Sequence, residues 1–366
     1  MGIDATSLAS GHAIRGIGRH VARMFEAALE AEPGWAASEV ATLIVGGQRP
    51  PLPGRSWRTV RSPIRPQDLD PFIAAAADRV AIRGAAPRRW HHTDPRLPWS
   101  PLDLRRTFVF VYDVIPLQDP EVWESIRSHR RIVYRRYLEL ARTARGVICS
   151  LPSTAADVAA ALEMPSERIA IVPPYVRRLA GRDMPYAPSP VPDEPRRLVF
   201  VGVLEAHKRP ELAIAVVAEL ARRGVEAALD LVGGLADRRR PAMERLAADL
   251  GVADRVHFIG RLDDDRLDAL YGRSTLLATS SFEGFGQPPV EALLAGGRVV
   301  AVPNPAYRET VGGLATFAAA PTAGAMADAV EGATAIPSDE ARSTLAVRFG
   351  AVAATTALRA AYERLG

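Results

Sequence analysis

One cysteine and one lysine are all that this chain holds of either residue, and both shortages are informative. A lone thiol, Cys149, excludes an internal disulfide and a multi-cysteine zinc site. With Lys208 the only lysine, every other basic side chain apart from histidine is arginine. No apolar run reaches the roughly 18 residues that a membrane-spanning helix needs. The start, Met1-Gly2-Ile3-Asp4-Ala5, reads as a strand rather than as the basic and apolar regions of an export signal, so a cytoplasmic location is expected. A net charge of +4 suits an anionic ligand and is far too mild to argue for nucleic acid. There is no internal repeat. What remains, 48% hydrophobic and 24% charged over 366 residues, is the composition of a globular chain of about two domains.

Strand-like and helix-like segments alternate along the chain, the pattern of α/β architecture with parallel sheets. Strands are expected at Val40–Val45, Thr107–Tyr112, Gly146–Cys149, Ile169–Val172, Leu198–Val201, Leu229–Val232, Val256–Ile259, Thr275–Ala278 and Val299–Val302. Amphipathic helices are expected at Pro210–Arg223, Pro241–Leu250 and Pro289–Ala295, with a long one at Ser343–Leu365. Residues 183–195 hold five prolines and no period, so they read as a stiff linker. Domains at 1–192 and 193–348 follow, and ligands of two such open sheets are expected at the carboxyl ends of the strands.

The strongest chemical signal is Glu283-Gly284-Phe285-Gly286-Gln287-Pro288-Pro289-Val290-Glu291, just after the Thr275–Ala278 strand. Backbone amides around Gly286–Pro289, at the start of a helix, suit a diphosphate. Glu291, expected in the first helical turn, suits a sugar's vicinal hydroxyls. The counter-charge falls at His207-Lys208-Arg209, after the Leu198–Gly202 strand end. A leaving diphosphate needs a fixed cation there.

EGFGQPPVEALLAG (Glu283–Gly296) resembles the E-G-F-G-L-P-x-x-E-A stretch of the retaining nucleotide-sugar glycosyltransferases of family 4. The resemblance extends to GIGRHVARMFEAAL (Gly16–Leu29), VYDVIPLQDPE (Val111–Glu121), FVGVLEAHKRPELAI (Phe200–Ile214) and VHFIGRLDDDRLDALY (Val256–Tyr271). It implies a GT-B fold: two Rossmann-like domains facing each other across a cleft, with a C-terminal helix, 349–366, crossing back near Phe349-Gly350 to the first domain. It implies an N-terminal acceptor-binding domain and a C-terminal donor-binding domain. The carried-over catalytic residues are Glu283 beside the transferred sugar, Lys208 and Asp113. Donor-binding positions are Gly16, Gly18, Gly202, Lys208, Arg209, Gly260, Arg261, Phe285, Gly286, Gln287 and Glu291. Retention by front-face attack is implied, with GDP-mannose as the donor towards which the resemblance leans. No cofactor is expected beyond the nucleotide-sugar substrate. The acceptor, whether sugar, lipid-linked sugar or metabolite, stays open.

Two positions depart from the family pattern. Val203 stands where many relatives have arginine, and Tyr112 replaces the histidine before Asp113. They keep a non-catalytic partner subunit open beside other GT-B activities such as epimerisation. Asp263-Asp264-Asp265 contains a D-x-D string, as does Asp68-Leu69-Asp70. The triplet reads as a helix cap, so no metal is expected. His91-His92 and Asp94 are expected on a surface loop. A helix over Glu124–Thr143 carries Arg127, Arg130, Arg131, Arg135 and Arg136, with Ile132, Val133, Tyr137 and Leu140 expected in the core. The basic stripe is read as a solvated face rather than a membrane contact.

Overall fold

Apolar runs become parallel strands in both halves of the chain. The structure, a computed structural model, describes residues 2–4, 16–35, 41–45, 58–62, 89–93, 104–176, 196–234, 239–333 and 336–365. The chain forms two compact units, Met1–Val176 together with Phe349–Gly366, and Arg177–Arg348. The proline-rich segment and the expected boundary at 192/193 lie outside the described residues.

In the first unit β1 (Gly2–Asp4), β2 (Ala41–Val45), β3 (Arg58–Ser62), β4 (Trp90–His92), β5 (Thr107–Phe110), β6 (Gly146–Cys149) and β7 (Ile169–Ile171) run in the order β3-β2-β1-β4-β5-β6-β7. Every pairing is parallel. β5 and β6 are buried along their whole length, as continuous apolar sequence requires of strands covered on both faces.

Helix Gly16–Ala31 lays Val21, Met24, Phe25 and Ala28 on the sheet at helical spacing, against Ile3, Phe108, Phe110 and Ile148. The same core is completed from the far end of the chain by Leu358, Ala361, Tyr362 and Leu365. The expected long C-terminal helix is two, Asp339–Arg348 and Ala351–Leu365, broken at Phe349-Gly350. The break is where the chain re-enters the first unit. Val347 and Val352 lie on the outer faces of these helices and are exposed, at 75% and 68%. Arg89 Nη1 donates to Tyr362 O at 3.0 Å, and Arg145 Nε donates to Leu365 O. These guanidinium groups satisfy carbonyls that a helix end leaves without partners. The Val176 N–H donates to Phe349 O at 2.9 Å, tying the exit of the chain to its return.

The helix expected over Glu124–Thr143 is also two, Pro120–Ser125 and Ser128–Thr143, with Ile126 and Arg127 extended between them. Tyr137 and Leu140 are buried, but Ile132 is 61% exposed and does not belong to the core. Arg131 and Arg135 lie 5.4 and 5.1 Å from the Trp123 ring centroid.

The second unit holds β8 (Arg196–Val201), β9 (Ala227–Val232), β10 (Val256–Gly260), β11 (Thr275–Ala278), β12 (Arg298–Ala301) and β13 (Thr316–Phe317) in the order β10-β9-β8-β11-β12-β13. All are parallel. Strand order reverses between β8 and β11, which pair directly, Thr275 with Leu198 and Leu276 with Val199. Connections leaving these two strands diverge to opposite faces, and a crevice opens beyond their carboxyl ends.

Candidate active site

The loops that follow β8 and β11 bring together the residues singled out in the sequence. After β8 the chain passes Gly202 and a short 3-10 turn, Ala206–Lys208, and enters helix Pro210–Arg222. Proline at the first helical position presets that entry. Arg209, immediately before it, takes a left-handed backbone at φ +51, which costs a non-glycine residue on the order of 1 kcal/mol. Contacts with β11's loop hold this turn: Thr279 Oγ1 donates to Lys208 O at 2.7 Å, and the Ser281 N–H donates to His207 O at 2.8 Å.

At the centre, Lys208 Nζ donates to Glu283 Oε1 at 2.6 Å. The Glu283 side chain is only 10% exposed and that of Lys208 23%. Burial by itself would push the Glu283 carboxyl up. The Lys208 ammonium, with hydrogen bonds from Lys208 and Ser280 and the nearby His207, holds it below the ordinary carboxylate value. Glu283 is therefore an ionised, oriented acceptor beside a fixed cation.

Beyond Glu283, Gly286 caps helix Gln287–Leu294 with a left-handed backbone at φ +79. The helix begins two residues earlier than its sequence pattern suggested. Glu291 consequently falls in the second turn, not the first. Its Oε2 lies 3.5 Å from the Tyr271 hydroxyl. Pro288 and Pro289 have no N–H, so the amides at this helix start are those of Gln287 and the residues before it. Phe285 is buried and Gln287 half-buried.

Other predicted donor positions sit on neighbouring loops. A side chain on Gly233 would overlap Gly202 O, so the turns after β8 and β9 touch backbone to backbone. Gly260, at φ +83, accepts the Gly233 N–H at 2.8 Å, and Arg261 follows it on the exposed surface. The Arg209 guanidinium donates to Pro321 O at 3.1 Å. Asp263 Oδ1 accepts the Arg266 N–H at 2.8 Å and caps helix Asp264–Tyr271. The Asp68–Asp70 string and Asp94 lie outside the described residues.

The first unit holds the rest. Gly16 and Gly18 open its first helix. Asp113, three residues past the end of β5, accepts the Ile115 N–H at 3.1 Å through Oδ1. Tyr112 donates to Thr93 O at 3.1 Å. His91 and His92 are not on a loop: they form β4 and are buried, because in a sheet covered on both faces even polar strand residues go inside. His91 Nδ1 shares a hydrogen bond of 2.7 Å with the Tyr362 hydroxyl. Burial, with His20 and His92 nearby, pushes the His91 imidazole down to about 3. Burial and the neighbouring Arg23 push His20 down to about 4. Both rings are neutral at ordinary pH.

Two residues that the sequence did not flag complete the second unit's cluster. Asn304 caps helix Pro305–Val311, accepting the Ala306 N–H at 2.9 Å. Its Nδ2 donates to Ser280 O at 3.1 Å and Ser281 O at 3.0 Å. Tyr307 donates to Glu283 Oε1 at 3.1 Å. The sequence signal was there in Asn304-Pro305, a capping residue ahead of a first-turn proline.

A cation and a carboxylate fixed beyond paired strands at a sheet's reversal point, in a chain with two parallel-sheet α/β units, define the GT-B class of fold. Solved structures agree. The chain superposes on Anabaena HepE in complex with UDP and glucose with a TM-score of 0.73 at 16% identity, covering 99% of both chains. On sucrose-phosphate synthase from Thermosynechococcus elongatus the TM-score is 0.70 at 20% identity, over 100% of this chain and 94% of that one. Sequence adds a finer likeness: residues 186–346 match the family model described as Glycosyl transferases group 1. Curated relatives include D-inositol 3-phosphate glycosyltransferase of Nocardia farcinica, 33% identical over 165 residues, which are 41% of this chain and 34% of that protein. The enzyme of the same name from Rhodococcus jostii is 37% identical over 116 residues, 30% of this chain and 26% of that protein. The chain thus spans about a third or less of the length of these relatives. Among the described residues, no helix is long and apolar enough to cross a membrane.

Proposed function

We propose that the protein is a retaining glycosyltransferase that moves a hexose from a nucleoside-diphosphate sugar to an acceptor hydroxyl. The observation that carries the reading is the 2.6 Å contact between Lys208 Nζ and Glu283 Oε1 at the reversal point of the second sheet. Lys208 is the cation that meets the charge developing on the departing diphosphate, worth several kcal/mol when preorganised in a site shielded from water. Glu283 takes a hydroxyl of the transferred hexose, and Glu291 the vicinal hydroxyls of the nucleotide ribose. Gly202, Arg209, Gly260, Arg261, Phe285, Gly286 and Gln287 line the donor.

The bond from the anomeric carbon to the diphosphate oxygen breaks, its electron pair leaving with the phosphate. The acceptor oxygen bonds to the same face of that carbon, and its proton passes to the departing phosphate oxygen. No step needs a metal, because Lys208 supplies the cation. The sequence resemblance leans towards GDP-mannose. The similar structure that contains UDP and glucose supports a UDP-hexose instead, and the names of the relatives support a phosphorylated polyol as acceptor.

Proton NMR of the first-formed product tests the mechanism: the donor's own anomeric configuration is expected, and an inverted product would refute it. Thermal shifts with UDP and with GDP test the donor. The matching nucleotide at about 100 times its dissociation constant adds about 2.7 kcal/mol of stability. If neither stabilises the protein, the donor site is wrongly assigned.

A further inference from the structure

Tyr307 is 2% exposed, inside the second unit's core, where a phenylalanine or a leucine would fill the space equally well. A buried hydroxyl is costly unless it is hydrogen-bonded, so its presence calls for a partner. It has two: Ser280, and Glu283 Oε1 at 3.1 Å, the same oxygen that Lys208 meets at 2.6 Å. The ring has a second contact. A Cβ on Gly286 would lie 2.7 Å from Tyr307 Cδ1 and Cε1, so the glycine's α-carbon rests on the ring with no room for a side chain. One side chain therefore supports both ends of the Glu283–Gly286 loop, the hydroxyl at the carboxylate and the ring at the helix cap.

The sequence explains how Tyr307 reaches that place. Asn304 clips the start of helix Pro305–Val311 to Ser280 O and Ser281 O. Tyr307 is three residues further on, and side chains three apart share a helix face. The residue that grips the beginning of the loop thus aims the one that supports its carboxylate.

We propose that Tyr307 is a positioning residue: it holds the Glu283 carboxylate oriented and ionised when Lys208 turns from it towards the leaving diphosphate. This rests on the glycosyltransferase reading above. In the structure Glu283 has two partners on one oxygen, and the donor's diphosphate competes for the stronger of them. With Lys208 drawn away, a nearly buried carboxylate would tend to take up a proton or swing out. The Tyr307 hydroxyl is neutral and has no attraction to a diphosphate that outweighs its carboxylate bond. It therefore stays. Ser280 and His207 also face Glu283, but both belong to the loops that the donor contacts, whereas Tyr307 reaches it from a different helix.

The test is Tyr307→Phe, which keeps the ring against Gly286 and removes only the hydroxyl. Two quantities are compared with wild type: kcat with whichever of UDP-glucose or GDP-mannose the wild type turns over, and the Glu283 carboxyl titration followed by carbon-13 NMR. Removing a hydrogen bond to a charged group is expected to lower kcat about tenfold or more. The carboxyl titration and the acid limb of the rate profile should move up together by about one pH unit, since the lost bond favoured the ionised form. UDP or GDP binding should stay within about twofold, because the diphosphate is not held by Tyr307. Tyr307→Leu, which also removes the ring, should show the same losses and a lower melting temperature. Wild-type kcat in Tyr307→Phe overturns the proposal whatever the titration does, and so does an unmoved carboxyl titration. A shifted titration in a protein that turns over no nucleotide sugar would leave the hydrogen bond standing and fell the glycosyltransferase reading instead.

Discussion

Both units fold as parallel sheets covered by helices, yet the largest groups of buried polar side chains in them differ in kind. The first unit buries imidazoles: His20, His91 and His92 are all at least nine-tenths buried, and His20 and His91 are held neutral by that burial. The second unit buries a charge and matches it, Glu283 against Lys208, with Tyr307 behind. A buried charge with a partner is stable only while the partner stays, or while a ligand replaces it. A buried neutral ring makes no such demand. The contrast fits the proposal that the anionic donor is held by the second unit.

The largest effect that would sharpen this contrast is on turnover. Lys208→Ala should lower transfer about 10²- to 10³-fold with the circular dichroism spectrum unchanged, as loss of one preorganised charge-stabilising donor does elsewhere. Glu291→Ala should fall in the same range if it holds the ribose. Near-normal rates in either variant would remove that residue from the site.

Next in size is Tyr362→Ala, which opens a cavity in the first unit's core and leaves buried His91 without its 2.7 Å partner. A loss of about 3 kcal/mol or more is expected in urea denaturation. All five tryptophans, Trp35, Trp57, Trp90, Trp99 and Trp123, precede Val176, so their fluorescence reports on the first unit alone. That signal should shift to lower urea while the far-ultraviolet signal, to which both units contribute, shifts less. Equal shifts in both would break the comparison.

Acid should separate the units more gently. His20 and His91 have folded-state values of about 4 and about 3, below the ordinary 6.5. The unfolded chain then binds more protons than the folded one below that value. Stability contributed by the neutral rings is complete above pH 6.5 and drains as the pH falls towards 4. Glu283, held below the ordinary 4.5, keeps its contribution above that pH and loses it only as the pH falls through its lowered value. Tryptophan fluorescence should accordingly change at higher pH than the last part of the far-ultraviolet signal. The reverse order would contradict the assignment.

The smallest expected effect is none. EDTA should leave donor turnover unchanged, and Asp263→Ala should cost only about 1 kcal/mol of helix capping. Activity lost to EDTA and restored by Mn²⁺ would show that a metal takes part.

Much of this was legible in the sequence, for identifiable reasons. β5, β6 and β11 are written as unbroken apolar runs, and Lys208 stands out because no other lysine competes with it. β3, Arg-Thr-Val-Arg-Ser, and β4, Trp-His-His, carry no such run, since the neighbouring strands define their place more than their own residues do. The burial of His91 depends on Tyr362, 271 residues away, and no local pattern encodes that pairing. Ile132 looked like core because it lies on a helix with Tyr137 and Leu140, but it falls on the opposite face, among the arginines. The helix at Gln287 starts two residues before its apolar period, which begins only after the cap.

The division of the first unit between the two ends of the chain also sets an order of events in the cell. The second unit, Arg177–Arg348, is translated between the two parts of the first. Helix Ala351–Leu365, whose Leu358 and Tyr362 close the first unit's core, emerges only afterwards. At about 5–20 residues per second, the nascent first unit waits on the order of 10–30 s with an apolar face uncovered. During that wait the second unit has all of its own strands and can fold by itself. A chain cut short after Arg348 and released would therefore present one finished unit and one unfinished one, the latter a ready substrate for chaperones and proteases.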